Sequence, residues 1–384
     1  MSLRNLPSTV WLLGAISLLN DAASELVYPL IPLYLATVLA AGPAVLGIIE
    51  GAAEAASSLL KLASGVLYDR SGRAKPLVVA GYSLAAIARP LIALVTAWPL
   101  LLVLRVGDRI GKGLRSSPRD ALLARSIDNG RRGLAFGVHR AMDNAGAVIG
   151  PLAAAGLLAL NLPIRDILLW TAVPGALCVL LALSLREAPA VPPAAYAAGD
   201  APRAPLPARF QRLLVAVGVF TLGQASQTFI LLRATAVGMA PAQVALLWAA
   251  VAATTTVLLV PISSWSDRIG RLLPMTLGWA MYAAMFVLLA LADAPWMFWV
   301  VAVLVGLYQA LTEGAERALI ADQVPESQLG TAYGAYYLVK GLLLLPASLG
   351  FGLLWQHVGS VVAFLVGGFL ALVALVLLRV WVRP

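Results

Sequence analysis

Gly65-Val-Leu-Tyr-Asp69-Arg70-Ser-Gly72-Arg73 is a tight, charged turn between two long apolar runs, and its last five residues return as Asp267-Arg268-Ile-Gly270-Arg271, 198 positions later. Two further segments keep almost the same register. Ala121-Leu-Leu-Ala124 and Gly133-Leu-Ala-Phe-Gly137 recur as Ala318-Leu-Ile-Ala321 and Gly330-Thr-Ala-Tyr-Gly334, both 197 residues on. The chain is therefore written twice. Parallel repeats of this size joined by a linker are one architecture of secondary transporters, with the solute site near the bilayer midplane.

The composition fits that reading. Of 384 residues, 61% are hydrophobic and 12% charged, with a mean hydropathy of +0.90; a soluble domain carries about 25% charged residues. The apolar runs are rich in Leu, Ala and Val on all sides and long enough for helices of about 20 residues, so the expected class is an all-α membrane protein and not a barrel of alternating strands. Twelve transmembrane helices are read near 9–38, 44–68, 76–96, 99–124, 134–160, 164–186, 209–233, 241–265, 272–292, 295–320, 331–356 and 358–380. They form two pseudo-symmetric six-helix bundles, residues 1–186 and 209–384, joined by a Pro/Ala-rich cytoplasmic linker at 187–208, too proline-rich for a helix. The first run is interrupted by Asn20, Asp21, Ser24 and Glu25 and continues past Tyr34 without a cleavage site, so it reads as a retained helix. With the N-terminus inside, short cytoplasmic segments collect about 15 Lys and Arg residues against about two on the other side, which puts both termini in the cytoplasm; the expected location is a bacterial inner membrane. The net charge of +9 is then largely topology, and nucleic acid is not an expected partner.

The fourth span carries Arg105, Asp108, Arg109, Lys112, Arg115 and Arg119. At 100° per residue, all but Arg109 fall within about an 80° arc. A charge at the bilayer centre costs about 2.5–3.5 kcal/mol on insertion scales, so a stripe of cations is expected to face a watered path. It suits an anionic solute: a carboxylate, an organic phosphate or an anionic metal chelate. Asp21 and Glu25 on the first span, and Glu50 and Glu54 on the second, are spaced i, i+4 and are the acids available for proton coupling, with Arg89 or the fourth span as their alternative salt-bridge partners. Gly146, Gly150 and Pro151 give the fifth span a small-residue face and a distortion that allow close helix approach. One cysteine, Cys178, offers no disulfide, and two distant histidines offer no metal site. No H-E-x-x-H, G-x-S-x-G or nucleotide loop supports an enzyme, and no cofactor is expected. A sensor or scaffold on a carrier fold stays open.

At this point the chain resembles the major facilitator superfamily over nearly its whole length. The turn at 65–73 matches that family's G-x-L-a-D-R-x-G-R signature. Arg109-Ile-Gly-Lys112-Gly113 is similar to R-x-x-Q-G, with Lys112 where the family usually has glutamine. Gly146-Ala-Val-Ile-Gly150-Pro151 resembles the G-x-x-x-G-P motif of proton-coupled antiporters, and Asp21 shortly before Pro29 is also like that drug- and siderophore-type group. The resemblance implies that Asp69, Arg70, Gly72 and Arg73, with Asp267, Arg268, Gly270 and Arg271, gate the cytoplasmic side, Asp69 pairing with an arginine of the fourth span and the N-terminal end of the eleventh. It implies that spans 1, 4, 7 and 10 line the solute path, which adds Asn20, Ser24, Gln224, Gln227, Tyr308 and Thr312 to the cations as solute contacts. The expected function is alternating-access transport of a small, anionic organic solute coupled to protons, by a monomer in the lipid bilayer. The alternatives are a multidrug proton antiporter and a siderophore or metal-chelate carrier.

Overall fold

The computed structural model describes residues 6–126, 132–186, 205–325 and 329–382; at 69, 70, 124, 125, 132–134, 260, 263, 264, 267, 321 and 329–331 the backbone alone is described. Among these residues the chain folds into fifteen α-helices: α1 (Ser8–Val27), α2 (Leu30–Thr37), α3 (Pro43–Ser71), α4 (Lys75–Leu91), α5 (Trp98–Arg125), α6 (Arg132–Ala159), α7 (Ile164–Trp170), α8 (Ala172–Leu183), α9 (Ala208–Gly223), α10 (Thr228–Ala236), α11 (Pro241–Ile269), α12 (Leu272–Leu291), α13 (Pro295–Ala321), α14 (Leu329–His357) and α15 (Ser360–Trp381). They make twelve membrane-length stretches, because three spans are interrupted. The first breaks at Tyr28-Pro29, where proline supplies no N–H; the sixth breaks at Thr171 and the seventh over Gln224–Gln227. Proline also starts helices: it stands in the first turn of α4, α5, α11 and α13, where its missing N–H costs nothing. Eleven stretches are long and apolar enough to cross a bilayer, and α5, with its charges, is the exception.

The chain divides into two compact units, residues 1–30 with 56–203 and residues 31–55 with 204–384. The division at 203/204 falls inside the stretch read as a linker, most of which lies outside the described residues. Segment 31–55, read from the sequence as part of the first bundle, groups with the second unit. Its backbone explains this. Gly47 and Gly51 on α3 lie so near Ser348 and Leu345 on α14 that a Cβ would collide with main chain, and the Ala44 N–H donates to Gln356 Oε1 at 3.4 Å.

In the first unit α1 packs along α6, α4 along α5, and α8 behind α1 and α4. Leu13, Ile16, Val78, Tyr82, Leu123 and Cys178 fill the space enclosed. In the second, α11 packs on α13, α12 on α13 and α15, and α9 on α14 and α15.

Candidate functional site

Two glycines set the distance between α4 and α5. Gly81 and Gly111 face each other so closely that a Cβ on either would strike the other's carbonyl oxygen. This approach brings Arg89 of α4 to Asp108 of α5. Arg89 Nε donates to Asp108 Oδ1 at 2.8 Å and Arg89 Nη1 to the Asn20 carbonyl at 3.0 Å; Arg105 Nη1 donates to Asp108 Oδ2 at 3.4 Å. Arg89 is thus committed to Asp108, not to the acids of the first or second span that the sequence offered it. Arg105 also lies over the Tyr28 ring at 5.6 Å, and Arg115 over Tyr82 at 4.7 Å. Arg105, Asp108, Arg109 and Arg115 are all under 5% exposed, while Lys112 and Arg119 are half-buried. Arg115 Nη1 has no hydrogen-bond partner among the described residues.

A second set of polar groups joins α1, α5 and α6. Gly146 and Gly150 let α6 run against the Leu18 and Ala22 carbonyls of α1. That seats Asp143 beside α1: Ser17 Oγ donates to Asp143 Oδ1, and Arg140 Nη1 to Oδ2 at 3.4 Å. Arg119 donates to Ser17 Oγ at 3.4 Å and grips Asp120 Oδ1 through Nε and Nη2 at 3.0 and 2.9 Å. Asp21 accepts from Asn20 Nδ2 at 3.0 Å. Asp143, Lys112 and Glu25 act on its carboxyl electrostatically. Ser24 is buried and Glu25 half-buried on the same helix. Glu50 is buried and Glu54 half-buried on the part of α3 that belongs to the second unit.

In the second unit the break between α9 and α10 turns side chains of the seventh span toward α13. Gln224 Nε2 donates to Tyr308 Oη at 3.0 Å, and Gln309 Nε2 to Gln227 Oε1 at 3.2 Å; Thr255 Oγ1 donates to Gln309 Oε1 at 2.6 Å. Thr312 spends its hydroxyl on the Tyr308 carbonyl of its own helix, at 2.9 Å. Beside this network lies a narrow cleft lined by Ser226, Gln227, Tyr282, Phe286, Tyr308 and Phe364, with free space for about one water. Gln309 and Thr255 escaped the sequence reading; Gln309 sits one residue from Tyr308, and that adjacency was the available signal.

The repeated charged turns share their backbone signature. Gly72 has φ 63° and Gly270 φ 90°, both in the region glycine favours. The Arg73 N–H donates to Ser71 Oγ at 3.3 Å; Arg271 donates to Ser266 Oγ at 3.3 Å and lies 3.9 Å from Asp322. Arg268 is exposed. The side chains of Asp69, Arg70 and Asp267 lie outside the described residues.

With this geometry in hand, the comparisons are specific. The Major Facilitator Superfamily model matches residues 13–232 and again 213–384. An MFS-type transporter of Methanocaldococcus jannaschii is 31% identical over 385 residues, covering 98% of this chain and 95% of its own. Multidrug resistance protein MdtH of Photorhabdus laumondii subsp. laumondii is 29% identical over 64% of this chain and 61% of its own. Among solved structures, the nucleoside transporter NupG superposes with a TM-score of 0.83 at 12% identity, over 98% of this chain and all of NupG. A peptide transporter POT in complex with sulfate gives 0.81 at 14% identity, over 99% and 95%. The chain belongs to the major facilitator superfamily. It is an integral membrane transporter, of a family whose members are carriers and not enzymes, and among the described residues eleven of its stretches are long and apolar enough to cross a bilayer.

Proposed function

We propose that this transporter carries a small anionic organic solute and couples its movement to protons. The observation that supports the anion is the charge balance of α4 and α5. Arg89, Arg105, Arg109 and Arg115 are buried there with one buried carboxylate, Asp108, and Lys112 and Arg119 lie half-buried on the same face. Asp108 neutralises part of this set, and Arg119 turns to Asp120 and Ser17. On α4 and α5 themselves the buried cations outnumber the one buried carboxylate, which suits a solute anion, with the half-buried Lys112 as its contact. Asp21 is the coupling acid in this reading: it feels the charges of an acidic neighbour, Asp143, and a cation, Lys112, so solute arrival at Lys112 changes the field that Asp21 faces. The protein works as a monomer in the plasma membrane with both termini in the cytoplasm.

The test is binding and flux in reconstituted vesicles, starting from a thermal-shift screen of anionic and cationic solutes. Lys112→Gln or Arg109→Gln should cost an anionic solute about 1.5–3 kcal/mol, the range for charge-assisted hydrogen bonds. Asp21→Asn should abolish accumulation driven by a pH gradient while keeping solute exchange, which needs no net proton movement. The similarity to MdtH favours a second reading, export of amphipathic drugs. Normal binding of lipophilic cations by both cation variants, with no anion competing, would move the protein to that class.

A further inference from the structure

The repeat that relates the two halves contains a reversal of charge. At the 197-residue offset of the Ala-Leu-x-Ala and Gly-x-Ala-aromatic-Gly segments, Arg119 falls on Glu316, His139 on Tyr336 and Asp143 on Lys340. Helical register is preserved. Asp143 and Lys340 each stand eleven residues after the first described residue of their helices, Arg132 of α6 and Leu329 of α14. In the first unit Arg119 and Asp143 meet through Ser17. In the second, Glu316 Oε2 accepts from Tyr336 Oη and from Lys340 Nζ, the latter at 3.2 Å; Nζ also lies 3.1 Å from Tyr336 Oη and 5.2 Å from the ring centroid.

The two arrangements mirror each other in sign and differ in what they permit. Arg119 holds its proton at every accessible pH, and both oxygens of Asp143 have donors, Ser17 on one and Arg140 on the other. That pair is locked. In the second unit the counter-ion is a lysine, a point charge on a flexible stem, and its side chain is 31% exposed against 8% for Glu316. Lys340 is the exposed member of the pair and Glu316 the buried one. If the ammonium turns outward, a bare carboxylate inside the membrane is costly, and taking up a proton removes that cost.

We infer that Glu316 is a proton-binding site of the second unit, filled alternately by a proton and by the Lys340 ammonium. In the exchange the carboxylate gains one proton from water, Lys340 keeps its own, and the charge of the pair rises from zero to plus one. Tyr336 stays hydrogen-bonded to the carboxyl in both states. The other charged and titratable groups nearby have their own positions. On α13, Glu313 pairs with Arg317 at 3.0 Å and Tyr308 is bonded to Gln224; on α14, Tyr333 donates to the Arg317 carbonyl and Tyr337 stacks edge-on against Tyr336. Of the helices packed on α13 and α14, α11 ends in Asp267 and Arg268, and α12 follows Arg271, which faces Asp322. α3, whose Gly47 and Gly51 lie against α14, carries the buried Glu50 and the half-buried Glu54. α9 begins with Arg209 and Arg212, and α15 ends with Arg379.

The inference rests on the reading of the chain as a proton-coupled carrier and adds a second proton to it. Infrared difference spectroscopy of the purified transporter in nanodiscs tests it with the proton itself as probe, through the carbonyl stretch of protonated carboxyls. Wild type should gain on acidification a band component that Glu316→Gln lacks. At pH 7, Lys340→Met should show that component several-fold stronger than wild type, Lys340→Arg should not, and Lys340→Met/Glu316→Gln should lose it. Identical acid titrations in wild type and Glu316→Gln, or a Lys340→Met spectrum equal to wild type at pH 7, would overturn the assignment. Asp21→Asn should remove a different component. Vesicles that accumulate no solute on a pH gradient, with the Glu316 band intact, would sink the coupling reading alone.

Discussion

In the first unit Arg105, Asp108, Lys112 and Arg115 stand on one helix, with Asp108 held between Arg89 and Arg105. The equivalent positions of α13, 197 residues on, are Ala302, Val305, Gln309 and Thr312. Around them the second unit packs rings: Phe220 stacks on Trp279 at 4.3 Å and 8°, and Tyr282 lies 4.3 Å from Phe286 and 4.9 Å from Tyr308. One helical frame therefore stands with charges inside it in one half and with none at those positions in the other. Apolar replacements of a buried ion pair are often neutral or stabilising, and α13 shows that this fold accepts them. The charges of α5 are not demanded by the frame. Under the proposed function they serve the solute.

Removing one member of the charged set should have the largest effect on stability. Asp108→Asn leaves Arg89 and Arg105 without their carboxylate, and about 3–5 kcal/mol should be lost, as when one partner of a buried pair is deleted. Thermal unfolding in detergent would show it. A variant melting like wild type would mean that the guanidinium groups are already hydrated, and the contrast between the halves would collapse.

The aromatic half should respond more mildly. Trp279→Leu keeps an apolar side chain of reduced size and deletes the stack on Phe220, worth about 0.5–1.5 kcal/mol beyond area burial. With the smaller volume, a loss of about 2 kcal/mol is expected. Solute affinity in the same variant should stay within a few-fold, and a larger drop would place the aromatic core in the solute path.

The repeated turns should differ between the halves, and the smallest effect of all belongs to Gly72. Gly270 has φ 90° with ψ 153°, a conformation nearly closed to residues with a Cβ, whereas Gly72 has φ 63°. Gly270→Ala should cost about 1–3 kcal/mol, and Gly72→Ala about 1 kcal/mol or less. Equal losses would mean that the two turns carry the same strain despite their different backbones.

Much of the frame was legible because bilayer thickness imposes span length and the repeat fixes register. The turns at Gly72 and Gly270 were readable for a local reason, since Asp-Arg-x-Gly-Arg puts glycine where the chain must reverse. The helix breaks were less visible: Tyr28-Pro29 had its proline, but the opening at Gln224–Gln227 has no proline and follows from packing against α13. Partners were the least legible. Arg89 lies 19 residues from Asp108, a separation with no periodic signature, and only the glycine contact of α4 with α5 selects that acid. Glu313 and Arg317 stand at i, i+4, a spacing that can be read from the sequence, and the pair forms. Glu316, three residues along, drew no notice, although the repeat offset sets it opposite Arg119.

The polarity of α5 also bears on how the chain enters its membrane. It is the one stretch of the twelve too charged to count as a self-sufficient span, and at about 2.5–3.5 kcal/mol per central charge its cations outweigh what its leucines gain in lipid. Left alone in the translocon it should slip through or stay outside. Its predecessor in the chain, α4, holds the arginine that neutralises Asp108 and the glycine that admits α5 at close range. Synthesis order supplies that partner first, so α4 and α5 should insert as a hairpin, and a chain with Arg89 removed should show its defect during biogenesis, before any solute is met.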